Sequence, residues 1–260
     1  MSEADALPRL HALHTYVRSP RKAQAFWERH FGLPLAAEGA DFALPAAGGG
    51  EVSWRLWSGG EACGTRGPHF ALPAFAVADF GAARGYLHAQ GIPIVFEEML
   101  PGANLLIFLD PDANPFELIE ITSPQAWDLG QRRELRTRRR RDAAPAAPLT
   151  LGPLQELTIY AHDITASGRF YRDLVGLPAG LSFFGHLHLA AANVQVVVRS
   201  THWRCKAPQQ PHGSEPVFLA ANLAELSARL QAAGYAPDPI AAPGLAFTDP
   251  AGLRVHFTAA

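Results

Sequence analysis

Cysteine is scarce in this chain. Cys63 and Cys205 stand 142 residues apart in loop-like sequence, which excludes both a disulfide framework and a paired-cysteine zinc motif. A reducing cytoplasm is the setting this predicts. Long apolar runs are missing too: none approaches the roughly 18 residues of a membrane-spanning helix, and no basic segment followed by an apolar one opens the chain, so neither membrane insertion nor secretion is expected. There is no excess of charge of one sign. A formal net charge of -2 gives nucleic acid and anionic membranes no whole-chain attraction. Two catalytic signatures are also absent. Gly48-Gly49-Gly50 lacks the Lys-Ser/Thr of a nucleotide-binding loop and reads as a hairpin turn, and no Gly-x-Ser-x-Gly nucleophile elbow occurs.

What is present is an ordinary globular composition, 48% hydrophobic and 18% charged over 260 residues, enough for two domains with their own cores. The chain also repeats itself. Phe26-Trp27-Glu28-Arg29 and Gly32-Leu33-Pro34 return as Phe170-Tyr171-Arg172-Asp173 and Gly176-Leu177-Pro178, an offset of 144. Leu87 to Gly91 returns as Leu230 to Gly234, and Asp110-Pro111-Asp112-Ala113 as Asp249-Pro250-Ala251-Gly252. So long a period means two fused copies of one domain rather than a solenoid. The copies are predicted at 1–122 and 151–260. Between them, 123–150 holds the basic run Arg132 to Arg141 and an Ala/Pro stretch, which reads as a solvated linker, with contact to an acidic partner as the alternative.

Each copy divides again. Leu10 to Val17 has strand character, and Arg21 to Phe31 carries apolar residues at helical spacing and ends at Gly32. Short strands follow at Asp41 to Leu44 and Glu51 to Trp57. The order restarts with a strand at His69 to Val77, a helix at Phe80 to Gln90 closed by Gly91, and strands at Ile94 to Phe96, Asn104 to Leu109 and Pro115 to Ile121. In the second copy the same plan gives strands at Gln155 to Ala161, Phe183 to Leu189 and Val194 to Arg199 around a helix at Thr165 to Val175. It then restarts with Val217 to Ala221, the helix Leu223 to Ala233, Ala246 to Phe247 and Arg254 to Thr258. The predicted fold class is α+β, four βαβββ units with cupped mixed sheets.

The helix bearing Phe-Trp or Phe-Tyr, the Gly-Leu-Pro after it, and Asp110-Pro111-Asp112-Ala113-Asn114 before a strand with Glu117 resemble the vicinal oxygen chelate superfamily of glyoxalases, bleomycin-resistance proteins and extradiol dioxygenases. Two fused copies, with Ser200-Thr201-His202-Trp203 and Lys206-Ala207-Pro208 before the fourth unit, look most similar to its two-domain catechol 2,3-dioxygenase-like members. The resemblance implies a cup in which the first strand of each unit and a late strand hold one divalent metal. Carried onto this sequence, the metal positions are Glu156, Glu215 and His256, glutamate and histidine having exchanged places with the family's usual His, His, Glu.

Alternation along a strand puts Glu156, Thr158 and Tyr160 on one face, and Arg254, His256 and Thr258 on one face. Two carboxylates converging in a dry cup repel unless one is protonated or a cation lies between them. An oxygen-rich set favours manganese or magnesium more than a site with two imidazoles does, iron and zinc being the other candidates. The alternative is a metal-free cup, and His212 replaces Glu215 as ligand if the strand begins differently. The first-copy equivalents are Ala12, Leu72 and Glu117, so a metal there would need His14 or His69 from shifted positions.

Two functions stay open on these residues. One is a metal-dependent dioxygenase-like or lyase-like enzyme working through the second copy; the family's acid/base His and Tyr are missing from their places in Val194 to Val198 and Pro243 to Thr248. The other is a metal-free protein sequestering a small planar molecule. In both, the expected partner is a small molecule, lined by Tyr160, Phe183, His186, Trp203 and Arg254.

Overall fold

The computed structural model describes residues 7–33, 42–44, 52–58, 71–100, 102–123, 148–183, 185–200, 214–239 and 244–260. The basic run, both cysteines, His69, Trp203 and His212 lie outside them. The first unit contains β1 (Arg9–Val17), α1 (Pro20–Phe31), β2 (Phe42–Leu44) and β3 (Ser53–Ser58). The second contains β4 (Ala71–Ala76), α2 (Phe80–Ala89), β5 (Ile94–Leu100), β6 (Ala103–Leu109) and β7 (Pro115–Ile121). The third contains β8 (Leu154–Ala161), α3 (Ile164–Arg169), β9 (Ala179–Phe183), β10 (His186–Ala190) and β11 (Gln195–Ser200). The fourth contains β12 (Ser214–Ala220), α4 (Leu223–Ala232), β13 (Leu245–Thr248) and β14 (Arg254–Ala259). The α+β class is as the sequence predicts, and the second and third units show the βαβββ plan; the first and fourth show two strands after the helix among the described residues. Two details differ: α3 continues as a π-helical turn over Phe170–Val175, and the strand expected at Phe183 to Leu189 is broken into β9 and β10 around Gly185, at φ 78°.

Local chemistry accounts for the helix ends. Pro20 opens α1, where a missing N–H costs nothing, and Gly32 closes it in the left-handed region at φ 62°. Asp79, Asp163 and Asn222 cap the other three helices by accepting from Ala82, Ala166 and Glu225 N–H.

In every unit the first strand runs parallel to the last: β1 to β3, β4 to β7, β8 to β11 and β12 to β14. Units then join through their first strands, and they join across the repeat. β1 pairs antiparallel with β12, and β4 with β8, so unit one shares a sheet with unit four, and unit two with unit three. Among the described residues one pair, Ser214 with Ala71, bridges the two seams.

The helix side is organised differently. Trp27 of α1 is fully buried and packs 4.4 Å from Trp54 and 4.6 Å from Phe116, ring centroid to centroid, so units one and two share an aromatic core. In the second copy Phe170 packs 5.1 Å from Tyr235, and Tyr171 donates a 2.7 Å hydrogen bond to buried Asp249. Each sequence copy therefore packs its helices within itself, while its concave strand faces are completed by the other copy. Burial of these large aromatics is the main favourable term.

Candidate functional site

The two seams generate two cups related by an internal pseudo-twofold, and the strand register makes the comparison position by position. In the first cup His14 stands opposite Glu215, Ala12 opposite Val217, and Val217 opposite His256. In the second, Leu72 stands opposite Thr158, Ala74 opposite Glu156, and Ala74 opposite Glu117. Trp57 and Arg199 hold equivalent places on the last strands, beside Tyr16 and Tyr160. The central set His14, Glu215, His256 and Trp57 thus corresponds to Thr158, Leu72, Glu117 and Arg199.

The first cup gathers its polar groups around Glu215, which is buried to 1% exposure. Its Oε2 accepts from Tyr16 Oη at 2.9 Å and lies 2.7 Å from His256 Nε2, which donates to the carboxylate. The His14 ring lies 5.2 Å from His256 and 5.2 Å from Trp57. Burial, then the neighbouring His256 and Arg55, push the His14 pKa down to about 3, so its imidazole is neutral at physiological pH. The opposite face of the seam fixes these side chains: Trp54 Nε1 donates to Thr15 at 2.8 Å, and Thr15 shares a 2.7 Å hydrogen bond with Ser214. Arg254 lines the same face of β14 as His256 and lies 3.8 Å from Asp238.

The second cup is built from different chemistry. Glu156 is buried; its Oε1 accepts from Thr158 Oγ1 at 2.8 Å and from Arg199 Nη2 at 2.9 Å. Glu117 is fully buried, and neither of its oxygens has a hydrogen-bond partner among the described residues. Burial pushes its pKa up to about 8, against the pull of Arg199 and with the push of Glu156. The Arg199 guanidinium is held charged, its pKa raised by Glu156 and Glu117 over the opposing effect of burial.

The residues expected to form one metal site are therefore divided. Glu215 and His256 meet in the first cup; Glu156 lies in the second, beyond β4, paired to an arginine. Alternation had placed Glu156 on the correct face but two residues from the position equivalent to His14. Of the expected ligand-lining residues, Tyr160 and His186 belong to the second cup and Arg254 to the first. Only the backbone of Phe183 is described, within β9.

His14 is the residue that sequence reasoning undervalued. Offset alignment matches it to Thr158, and its importance comes from the register with Glu215, 201 positions away in sequence, which no local pattern reveals. Arg199 was missed too. Its signal was present: a charged residue at the end of Val196-Val197-Val198 in a strand whose neighbour, β8, carries a glutamate toward the cup.

Two imidazoles and a carboxylate from three strands form a donor set suited to a divalent transition metal, and Tyr16 orients the carboxylate as a supporting hydrogen bond does in such sites. Among the described residues, no three His, Cys, Asp or Glu side chains already stand together as a metal-holding group. The donors fit by type and face; coordination requires His256 and Glu215 to exchange their mutual hydrogen bond for the cation.

Comparison with known proteins agrees with this architecture. The sequence profile of the Glyoxalase/Bleomycin resistance protein/Dioxygenase superfamily matches residues 9–118. That stretch of the chain carries the superfamily's sequence signature. Among solved structures, a provisionally named dioxygenase from Bacillus subtilis is similar at a TM-score of 0.63 and 11% identity, over 96% of this chain and 84% of the other. Glyoxalase I from Zea mays is similar at a TM-score of 0.61 and 14% identity, over 97% and 92%. These likenesses extend the fold to nearly the whole chain. No curated protein matches the sequence. Among the described residues no helix is long and apolar enough to cross a membrane.

Proposed function

We propose that the first cup is the working site, where His14, Glu215 and His256 hold a divalent cation and the protein acts on a small molecule bearing adjacent oxygens, as a lyase-like or dioxygenase-like enzyme. The observation that carries this reading is the register placing His14 directly opposite Glu215, with His256 Nε2 2.7 Å from the same carboxylate. The depressed pKa keeps His14 in the form that can donate its lone pair. Tyr16 holds the Glu215 carboxylate in place, and Trp57 supplies a flat wall beside His14. A bound cation would act as Lewis acid and template for the substrate oxygens.

The test is equilibrium metal binding, with manganese, iron, zinc and magnesium each tried, read by elemental analysis and calorimetry. Near-stoichiometric uptake is expected. Glu215→Gln and His14→Ala should each lower affinity about tenfold or more, while Glu156→Gln should leave it unchanged. Uptake lost only in the Glu156 variant would sink this assignment.

A second reading has its own observation. Tyr16 and His256 already satisfy Glu215 without a cation, as a metal-free binding protein requires. Tight small-molecule binding in chelator, unaffected by added metal, would favour that function.

A further inference from the structure

The second cup contains more buried polar capacity than its own contacts use. Arg199 and Glu156 satisfy one another through Nη2 and Oε1, which is sufficient for a structural ion pair. Glu117 adds a second carboxylate with 0% exposure, and its two oxygens, Glu156 Oε2 and Arg199 Nε all lack hydrogen-bond partners among the described residues. Burying such groups without partners costs stability. A purely structural role would be served better by an apolar residue at position 117, as Leu72 shows at a neighbouring cup position.

The unused groups are of both kinds. Arg199 Nε–H is a cationic donor, Glu156 an anionic acceptor, and Glu117 a buried carboxyl that becomes one when it gives up its proton. Around them stand Leu72, Ile107 and Tyr160, with Phe96 against the same cluster. Solvent reaches this end of the cup at the Arg199 side chain, 10% exposed, and at half-buried Phe96 and Glu98. The first cup offers no such pairing: Trp57 stands where Arg199 does, and Ala12 where Glu156 does.

We propose that the second cup is a metal-independent binding site for a small zwitterion of the α-amino acid type, its carboxylate received by Arg199, its ammonium by Glu117 and Glu156, and its side chain by the Tyr160 cluster. Arg199 occupies the place of a cation, so no metal is needed. Charge-assisted hydrogen bonds at both ends give selectivity over ligands carrying one charge. The charged and titratable groups facing Glu117 are Arg199 on β11, Glu156 on β8 and Glu98 on β5, with Tyr160 and His186 bordering Arg199. A carboxyl without a donor is held protonated in this setting, so receiving an ammonium group releases its proton to solvent.

Calorimetric titration of the full-length protein in chelator tests this, using glycine, L-leucine and L-phenylalanine as zwitterions, and benzoate and phenethylamine as singly charged halves. At least one amino acid should bind about tenfold or more tighter than either half, with a heat that varies with buffer ionisation enthalpy because a proton is released. Glu117→Gln, which keeps the shape, should weaken binding about tenfold and abolish the buffer dependence. His14→Ala should alter neither, which separates this site from the first cup. No binding by any of the three amino acids, equal binding by a half-ligand, or an unchanged affinity in Glu117→Gln would overturn the proposal.

Discussion

His14 and Glu215 face each other across the seam between β1 and β12, residues from the two ends of the chain brought into one register. The polar floor of the first cup depends on this seam, because His256 reaches Glu215 only through the parallel pairing of β14 with β12. Each copy supplies half of each cup, so neither copy alone contains the arrangement. Sequence repeat and functional unit are therefore out of step: repetition built the helix-side cores, and exchange of strands built the sites.

The Glu215–His256 contact should be energetically visible. Glu215 is 1% exposed, and His256→Ala removes the 2.7 Å hydrogen bond to its carboxylate. The expected loss is about 1–3 kcal/mol, the range for leaving a buried group short of a hydrogen bond. Adding Glu215→Gln should recover part of it. Urea denaturation of the two single variants and the double variant measures the coupling.

Most of the fold could be read locally, and most of the site could not. Helix caps at Asp79, Asp163 and Asn222, the αL glycine at 32 and alternating faces in β8 and β14 are near-neighbour physics, visible in a stretch of ten residues. Trp54 and Trp57, three apart on one strand, face opposite ways: Trp54 is in the core and Trp57 borders His14. The set Glu156, Glu215 and His256 comes from the family resemblance, and it forms one site only if one copy builds one cup. That condition concerns which strands pair at long range, and alternation is silent on it.

Glu117 should make stability fall as pH rises. Its folded pKa, about 8, lies above its ordinary value of 4.5, so between these the native state binds more protons than the unfolded state. Stability from this group is fully present below about pH 4.5, decreases across the window, and is lost above about pH 8. Glu117→Gln should remove the slope and leave the protein more stable than wild type at pH 9 by a few kcal/mol. Denaturation midpoints across this range, variant against wild type, check the sign; an unchanged pH slope would mean that the carboxyl is ionised in the fold.

Tyr171 and Asp249 join the third and fourth units in the second copy's helix-side core. The phenol donates at 2.7 Å to a carboxylate that also accepts from Ala251 and Leu253 N–H at 2.8 Å. Tyr171→Phe preserves the packing and removes one charge-assisted bond, with an expected cost of about 1–3 kcal/mol. The Asp249 pKa, already pushed up to about 6 by burial, should rise further, since the Tyr171 hydrogen bond holds it down. Chemical denaturation measures the first effect, and carboxyl titration by NMR the second.

Gly244 links backbone geometry to the first cup. It has a φ of 142°, and a Cβ there would lie 2.5 Å from the carbonyl oxygen of Phe257, next to His256 on β14. Backbone cannot yield as a side-chain tip can, so Gly244→Ala must displace β13 from β14, at a cost of about 1–3 kcal/mol. The displacement acts on the strand that carries His256, whereas the second cup is built from β4, β7, β8 and β11. Cation affinity at the first cup should therefore fall while amino acid binding at the second is kept. Paired calorimetric titrations of the one variant measure both. Equal loss at the two cups would show that they share a single rigid frame and cannot be tuned separately.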